Sequence, residues 1–241
     1  MESLEARPRP FAGLVARTEP GLVAVLPENS VEYAYAAASA GAHAVMVGID
    51  KTETHLPGLF GSFDLVEDSV SAILGTSSVP VGISIGDSRP LLRENWERIV
   101  SKGFSFVNMY AHHMPSFVLD DDRVEKLVSV GPGYMVEQVK SISEFKQVTA
   151  LDAAIVPLQG RTHIFNALDL ATLRVLAAIS SKPVFVRTQK KMTYGDVASA
   201  LSAGLRGVCL DPAAFDSGIE AYRDAVATFS AKVNQPAREG V

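Results

Sequence analysis

The sequence predicts a single (β/α)8 barrel, and three observations support that prediction. The first is a βαβ unit at Lys182–Pro212, in which an apolar run, a polar segment, a helical pattern, Gly204 and a second apolar run follow one another. The second is a count of eight short apolar runs that alternate with helical patterns along the chain. The third is the length of 241 residues, close to the usual size of one barrel. An open doubly wound sheet is the alternative, but no glycine-rich dinucleotide turn follows the first strand.

The elements are expected where short apolar runs and helical spacings alternate. The predicted strands are Leu22–Leu26, Ala44–Ile49, Pro80–Ile85, Phe104–Tyr110, Tyr134–Gln138, Ala153–Leu158, Pro183–Thr188 and Gly207–Asp211. The predicted helices are Val31–Ser39, Asp64–Leu74, Pro90–Lys102, Asp120–Val128, Ser143–Lys146, Phe165–Ile179, a helix that contains Val197 and Leu201, and Gly218–Lys232. Gly41, Gly103 and Gly204 end three of these helices, because glycine accepts a left-handed backbone without steric cost.

We expect one domain over residues 1–241. Residues 1–20 carry three prolines and are expected to form an arm or a short barrel-closing segment, and residues 234–241 are expected to fray. The loop Thr52–Gly61 is long enough to fold over a site.

Composition limits the kinds of partner. The net charge of -5 argues against nucleic acid as a general partner, although a local basic cluster can still bind a small anion. No apolar stretch approaches the roughly 18 to 20 residues that cross a bilayer, and the N-terminus lacks the apolar core of a secretory signal. Cys209 is the single cysteine, so an internal disulfide and a multi-cysteine zinc site are excluded. We therefore expect a soluble cytoplasmic protein that binds a small anionic metabolite, and we leave open whether it is a homo-oligomer.

Polar side chains follow most of the predicted strands. They are Glu28, Asp50 with Lys51, Asp87, His112 with His113, Glu137, Gln159 with Arg161, Gln189 with Lys190, and Asp211. A barrel brings its strand ends to one mouth, so these residues are candidates for a common site. Strand ends also carry polar residues simply because the chain returns to solvent there, so polarity alone does not define a site.

Two of the candidate chemistries need a metal or a covalent bond. The carboxylates Glu28, Asp50, Glu137 and Asp211 are oxygen ligands of the kind that Mg²⁺ prefers, although they are also able to form structural ion pairs. A strand-end lysine, Lys51 or Lys190, is able to form a Schiff base with a carbonyl substrate if burial lowers its pKa, whereas a solvated or paired lysine is the commoner outcome.

A third candidate chemistry is anion binding by charge. Arg161, Lys190 and Lys191 come from the loops after strands six and seven, and are expected to bind a carboxylate or phosphate. Gln189, Lys51 and His112 complete the predicted substrate-binding set. Glu137, Lys190 and Asp211 are the predicted catalytic residues. Cys209, inside an apolar strand, is expected to be a buried and slowly reacting core thiol.

Two segments share the pattern A-G-x-x-x-V between a helix and a strand, at Ala40–Val45 and Ala203–Val208. With the alternation of strands and small-residue helices, this pattern resembles the phosphate-binding superfamily of TIM barrels, which includes the ribulose-phosphate-binding isomerases, lyases and synthases. The resemblance implies glycine-rich turns after strands seven and eight that bind a phosphate. Here those turns are polar or basic; Pro212 lacks an amide hydrogen and Asp211 would repel a phosphate. The anion is therefore expected to bind Arg161 and Lys190, and Lys190→Ala is expected to weaken binding by about 1 to 3 kcal/mol with little change in stability.

These features predict a small-molecule metabolic enzyme, a lyase or isomerase that acts on a phosphorylated or carboxylated substrate. Glu137 or a neighbouring carboxylate would move a proton, while Lys190 and Arg161 would hold the anion and stabilise enolate-like charge. The alternative is a non-catalytic metabolite-binding or assembly barrel. An enzyme should place Glu137, Lys190 and Asp211 within about one substrate length of each other, whereas a non-catalytic barrel should have them apart or paired off.

Overall fold

A computed structural model describes residues 11–50, 60–87, 89–212 and 215–234. Eight parallel strands close into a barrel in which each strand pairs with its neighbours in sequence and β8 returns to β1. The predicted fold class, a (β/α)8 barrel, is therefore confirmed.

The bounds of the elements are as follows. The strands are β1 Gly21–Val25, β2 Ala44–Ile49, β3 Val81–Ile85, β4 Phe106–Tyr110, β5 Glu125–Val130, β6 Ala150–Ala153, β7 Val184–Arg187 and β8 Gly207–Leu210. The helices of the described residues are α1 Phe11–Val15, α2 Val31–Ser39, α3 Phe63–Thr76, α4 Arg89–Ser101, α5 Ser116–Leu119, α6 Val136–Glu144, α7 Ala167–Ile179, α8 Tyr194–Ser202 and α9 Ile219–Val233, with a 3-10 turn at Leu158–Gly160.

The predicted fifth strand is wrong. Tyr134 and Met135 lie in the loop before α6, Val136–Gln138 form the first turn of α6, and β5 lies where the helix Asp120–Val128 was expected. The charged residues at its start make β5 look like a helix surface, but each of these charges has a hydrogen-bond partner in the structure. Lys126 is only 1% exposed, and its Nζ donates to the carbonyl of Asp121. The Glu125 carboxylate accepts the backbone N–H of Ala12 at 2.9 and 3.0 Å. A polar group can be buried in a strand when it has such a partner.

The sixth strand was expected at Ala153–Leu158 but lies at Ala150–Ala153. Its apolar continuation, Ala154–Val156, leaves the sheet because the N–H of Ala154 bonds to the carbonyl of Asp152 at 2.9 Å. Because the strand was predicted to begin at Ala153, Asp152 was assigned to the preceding loop, whereas it is a residue of β6.

Aromatic rings fill the amino-terminal end of the barrel. Phe11, in α1, lies with its ring centroid 4.2 Å from that of Phe106 and 6.0 Å from that of Phe185. Glycines make room for the rings, since a Cβ on Gly82 would come within 2.2 Å of Phe106 and one on Gly207 within 2.3 Å of Phe185. Within the segment predicted at residues 1–20 as an arm or barrel-closing segment, α1 packs against the barrel, while residues 1–10 and residues 235–241 of the predicted tail 234–241 lie outside the described residues.

None of the helices in the described part of the chain is long and apolar enough to span a membrane.

Candidate functional site

The upper interior of the barrel is polar and is built by one residue from each of five consecutive strands. These residues form the interior polar network: Ser84 of β3, Asn108 of β4, Ser129 of β5, Asp152 of β6 and Arg187 of β7. All five are buried and face inward, because side chains alternate between the two sides of a strand and the alternate positions pack outward against the helices.

Arg187 is the centre of the network. Its Nε and Nη2 both donate to Asp152 Oδ2, at 2.9 and 2.5 Å, and Nη2 also donates to Asn108 Oδ1 at 3.0 Å. Its Nη1 lies 3.4 Å from Oδ2 of Asp211, the residue that follows β8. The guanidinium thus connects the middle of the barrel to the carboxyl end of β8.

The remaining members orient the Asp152 carboxylate. Asn108 Nδ2 donates to Ser129 Oγ at 2.8 Å and to Asp152 Oδ2 at 3.2 Å, and Ser129 Oγ donates to the same Oδ2 at 2.8 Å. Ser84 Oγ donates to Asn108 Oδ1 at 2.9 Å. Within the described chain, the other oxygen, Asp152 Oδ1, is buried without a hydrogen-bond partner. A charged pair in the interior is tolerated when such hydrogen bonds surround it.

The network sets the electrostatics of the interior. Burial is the largest single influence and lowers the pKa of Arg187, but the interactions with Asp152, Cys209 and Asp211 together raise that pKa above its ordinary range. Burial raises the pKa of the Cys209 thiol well above its usual value, and the Asp152 carboxylate raises it further. Cys209 is fully buried, as predicted, and its slow reaction stays a prediction.

Asp50, at the carboxyl end of β2, is a carboxyl with a perturbed pKa at the mouth. Burial raises its pKa, and the carboxylates of Asp87 and Asp64 raise it further. Its φ of +50° lies in the left-handed region, and among the described residues no other residue except glycine has a positive φ. A strained, half-buried carboxyl at a strand end is a candidate proton donor or acceptor.

Two buried donors lie on the side of β6 and β7. Gln189 is 1% exposed; its Oε1 accepts the N–H of Val156 at 2.9 Å, whereas its Nε2 has no acceptor among the described residues. Arg161 Nε is likewise buried without an acceptor there. Buried polar atoms are rarely left unpaired, so both are candidates to bind an oxygen atom of a ligand.

The structure pairs off two of the predicted catalytic residues. Lys190 Nζ lies 2.6 Å from Asp169 Oδ2, in the first turn of α7, and the lysine side chain is 7% exposed. Asp211 lies against Arg187, and its N–H donates to Thr188 Oγ1 at 2.8 Å. All four residues from Arg187 to Lys190 are buried, whereas the neighbouring Lys191 is exposed.

The remaining predicted residues lie apart from the network. Glu137 is exposed in the first turn of α6 and not at the end of a strand, so its predicted placement is wrong. His112 is exposed after β4 and contacts the hydroxyl of Tyr134 through Nδ1. Lys51 and residues 52–59 of the loop predicted to cover the site lie outside the described residues.

The sequence predicted a possible magnesium site among the carboxylates at the strand ends. No group of three or more His, Cys, Asp or Glu side chains in the described part of the chain is placed to hold a metal ion. Magnesium therefore stays a prediction.

The interior polar network was not predicted, because its members lie within the strands and the predicted site residues lie just beyond them. A signal was nevertheless present inside the strands. Single polar residues stand among apolar ones in I-S-I, V-N-M, V-S-V and L-D-A, and Arg187 ends an apolar run. A polar residue at an alternate position of a strand points to a polar interior, a feature that a purely structural core would avoid.

The geometry defines a TIM barrel with a polar upper interior, and comparison with solved structures identifies the same fold. A tryptophan synthase α-subunit variant from Pyrococcus furiosus matches with a TM-score of 0.62 and 17% sequence identity, over 89% of this chain and 96% of that one. Tryptophan synthase from M. tuberculosis matches with a TM-score of 0.66 and 16% identity, over 94% and 97%. A protein from Aquifex aeolicus VF5 matches with a TM-score of 0.62 and 15% identity, over 93% and 98%. The predicted resemblance to TIM barrels is therefore confirmed as a likeness in fold.

No protein-family model matches the chain, and no curated protein matches it in sequence.

Proposed function

We propose that this barrel is a small-molecule enzyme, a lyase or isomerase, that acts on a phosphorylated or carboxylated substrate at the carboxyl ends of its strands. The observation that carries the proposal is Asp50, a carboxyl with a raised pKa on a left-handed backbone at the end of β2. General acid–base catalysis is most efficient when the pKa of the catalytic group lies near the working pH. The fold likeness to tryptophan synthase α-subunits supports the class of protein by analogy only.

In this proposal Asp50 takes the proton-transfer role that the sequence assigned to Glu137. Gln189 Nε2 and Arg161 are the donors for an oxygen that gains negative charge during the reaction, because both side chains carry buried N–H groups without an acceptor in the described chain. Arg187 and Asp152 form a rigid floor that holds Asp211 in place. In this proposal Lys190 is not an unpaired cation that binds the substrate, since its charge is neutralised by Asp169. Its ion pair instead holds the chain after β7 against the start of α7.

The second candidate is a non-catalytic metabolite-binding barrel. Its supporting observation is that the charges expected to act together are paired off, Lys190 with Asp169 and Asp211 with Arg187. A non-catalytic barrel was expected to have Glu137, Lys190 and Asp211 apart or paired off, so these ion pairs favour the non-catalytic candidate as far as those three residues are concerned. The two candidates differ in whether Asp50 has chemistry to perform.

Turnover decides between them. The wild-type protein is incubated with a mixture of sugar phosphates, triose phosphates and 2-keto acids, and consumed compounds are followed by mass spectrometry. Asp50→Asn should lower turnover about 100-fold or more, the range for removal of a general acid or base. Asn keeps the shape of the side chain and tolerates a left-handed backbone. Asp68→Asn, on the exposed face of α3, is the matched control and should react like wild type.

Wild-type turnover that Asp50→Asn leaves intact would refute the role of Asp50. Saturable binding of inorganic phosphate without turnover of any compound would favour the non-catalytic barrel.

A further inference from the structure

The end of β2 is held by a side chain from the loop after β1. Asn29 Nδ2 donates to the carbonyl of Gly48 at 2.7 Å, and Asn29 Oδ1 accepts the N–H of the same residue at 3.0 Å. One side-chain amide thus bonds both backbone groups of one residue, as a neighbouring strand would. The Gly48 N–H needs an oxygen as its acceptor, and this requirement fixes which way the Asn29 amide points. Gly48 lies two residues before Asp50.

The strand pairing explains why β2 needs this partner. The register of β1 with β2 ends at Val25, opposite Met46. The chain then leaves the sheet toward α2, whereas β2 continues to Ile49. The side of β2 that faces β1 therefore has no strand beside it at Gly48, which is buried. Buried backbone groups without a partner are unfavourable, and Asn29 supplies the partner.

The backbone at the end of β2 is also fixed from two other loops. The N–H of Gly86, after β3, donates to the carbonyl of Ile49 at 3.0 Å. The N–H of Asp50 donates to the carbonyl of Gly61, which precedes α3, at 3.1 Å. Together with Asn29, these bonds hold the segment whose last residue has a φ of +50°.

The position of the Asp50 carboxyl depends on this backbone. Within the residues that the structure describes, no hydrogen bond or ion pair joins the carboxyl to another side chain. The charged groups that act on it are the carboxylates of Asp87, after β3, and Asp64, in α3, and both repel it. A left-handed residue other than glycine is strained and persists only where its surroundings hold it. The hydrogen bonds of the backbone, and not a side-chain partner, therefore keep the carboxyl in place.

We propose that Asn29 is a positioning residue for Asp50, which it holds at the mouth of the barrel by bonding both backbone groups of Gly48. The consequence for catalysis rests on the function proposed above, because Asn29 acts through Asp50. Asparagine fits this role, since aspartate lacks the donor for the Gly48 carbonyl and serine is too short to bond both groups.

The test measures the pKa of Asp50 in the full chain by ¹³C NMR of the side-chain carboxyl, with its resonance assigned from Asp50→Asn. In the wild type this pKa should lie above the unperturbed value of about 3.9. Asn29→Ala should lower it toward that value, because the released backbone allows the carboxyl to move into water and away from Asp87. Asn29→Ser should shift it in the same direction, and it is the milder change should Asn29→Ala not fold.

Ser30→Ala is the matched control. The Ser30 hydroxyl accepts the N–H of Glu32 and caps α2, so this change destabilises the same loop and removes no bond to Gly48. The pKa of Asp50 should keep its wild-type value in Ser30→Ala. A general loss of stability is thereby separated from a loss of positioning.

Turnover separates this proposal from the function on which it rests. With a compound consumed from the metabolite mixture, Asn29→Ala should lower kcat about 10- to 100-fold and change KM little, because a displaced catalytic group slows the chemical step. A lowered pKa of Asp50 with wild-type turnover in both Asn29→Ala and Asp50→Asn would support the positioning and refute the catalytic role of Asp50.

Three results would overturn the positioning role of Asn29. The first is a pKa of Asp50 that is unchanged or raised in every folded Asn29 variant, whatever the turnover. The second is an equal shift of that pKa in Ser30→Ala. The third is turnover that Asp50→Asn abolishes but Asn29→Ala leaves intact.

Discussion

Asp50 combines two features that are unfavourable for an ionised side chain in a folded protein. Its backbone is left-handed, and its carboxyl is half-buried near two other acidic residues, Asp64 and Asp87. Each feature costs free energy, and the surrounding barrel must hold the residue in place. Such strain concentrates at sites that perform chemistry, which is why Asp50 and not Glu137 is the centre of the proposed mechanism.

Asp50→Asn should raise the free energy of unfolding at pH 7. The pKa of Asp50 is higher in the folded chain than in the unfolded chain, where it is about 3.9. The folded state therefore keeps the proton to higher pH, and stability falls as pH rises from about 4 through the folded pKa. Asn removes the charge and tolerates the left-handed backbone. Urea unfolding should show a gain at pH 7 that disappears below about pH 4, where Asp50 is neutral in both states.

The control for this measurement is Asp68→Asn, which removes an exposed charge from α3. A loss of stability at pH 7 in Asp50→Asn but not in Asp68→Asn would show that the carboxylate of Asp50 is stabilising, contrary to the account.

Cys209 should react slowly with a thiol reagent in the native protein. It is fully buried in β8, and burial next to Asp152 raises its pKa, so little thiolate is present at neutral pH. Labelling with Ellman's reagent, followed by absorbance, should be slow in buffer and rapid in urea. Equally rapid labelling in both would mean that the upper interior is open.

At the scale of elements, Lys190 links the chain after β7 to the start of α7. Its ammonium contacts Asp169 Oδ2, the same oxygen that accepts the N–H of Asn166 in the cap of that helix. The sequence predicted that Lys190→Ala would leave stability almost unchanged, and the structure reverses that expectation because the pair is buried.

Lys190→Ala should destabilise the fold by about 3 kcal/mol, because it leaves the Asp169 carboxylate without its buried partner. Lys191→Ala is the matched control, since the neighbouring lysine is exposed, and it should change stability by less than about 0.5 kcal/mol. Chemical denaturation of both variants measures the difference. If the two variants lost the same stability, the ion pair would make no special contribution.

The short helix α1 has a role larger than its five residues suggest, because Phe11 fills the lower end of the barrel. Phe11→Ala should cost about 3 to 5 kcal/mol, the range for truncating a buried aromatic side chain. Tyr35→Ala, at a residue that is exposed on α2, should cost less than about 0.5 kcal/mol. Thermal or urea unfolding compares the two, and a Phe11→Ala variant as stable as wild type would mean that α1 does not belong to the core.

Elements could be predicted where their residues follow one simple pattern. The bounds of β2 and α2 agree with the predicted bounds, because uniformly apolar or alanine-rich runs leave little ambiguity. The prediction failed at β5, where Glu125 and Lys126 find partners that are distant in sequence or reached by a local backbone turn. Partners of that kind depend on tertiary structure and are not visible in a linear pattern.

The candidate site was predicted only in part for the same reason. Asp50, Gln189 and Asp211 were visible at strand ends, but Asp152 and Asn108 meet Arg187 only because the barrel closes. Asn108 and Arg187 are 79 positions apart in the sequence, and their contact requires the correct register of four adjacent strands.

At the scale of the whole molecule, the barrel is shared with solved structures at 15 to 18% sequence identity. Identity this low leaves the architecture intact, because any residues of suitable polarity and size can fill strands and helices. The same architecture supports many reactions, so the function has to be argued from the strand ends and the interior of this chain.

The central claim is that small anions bind at the mouth of the barrel, above the interior polar network. Titration of ¹⁵N-labelled protein with glycerol 3-phosphate, followed by amide chemical shifts, tests it most directly. The account predicts saturable shifts that cluster at the carboxyl ends of the strands, at Gly48, Asp50, Gly131, Gln189 and Asp211. The absence of saturable shifts up to about 10 mM, tenfold above the usual upper range of KM, would contradict the claim. Saturable shifts confined to α5 and α6 would also contradict it.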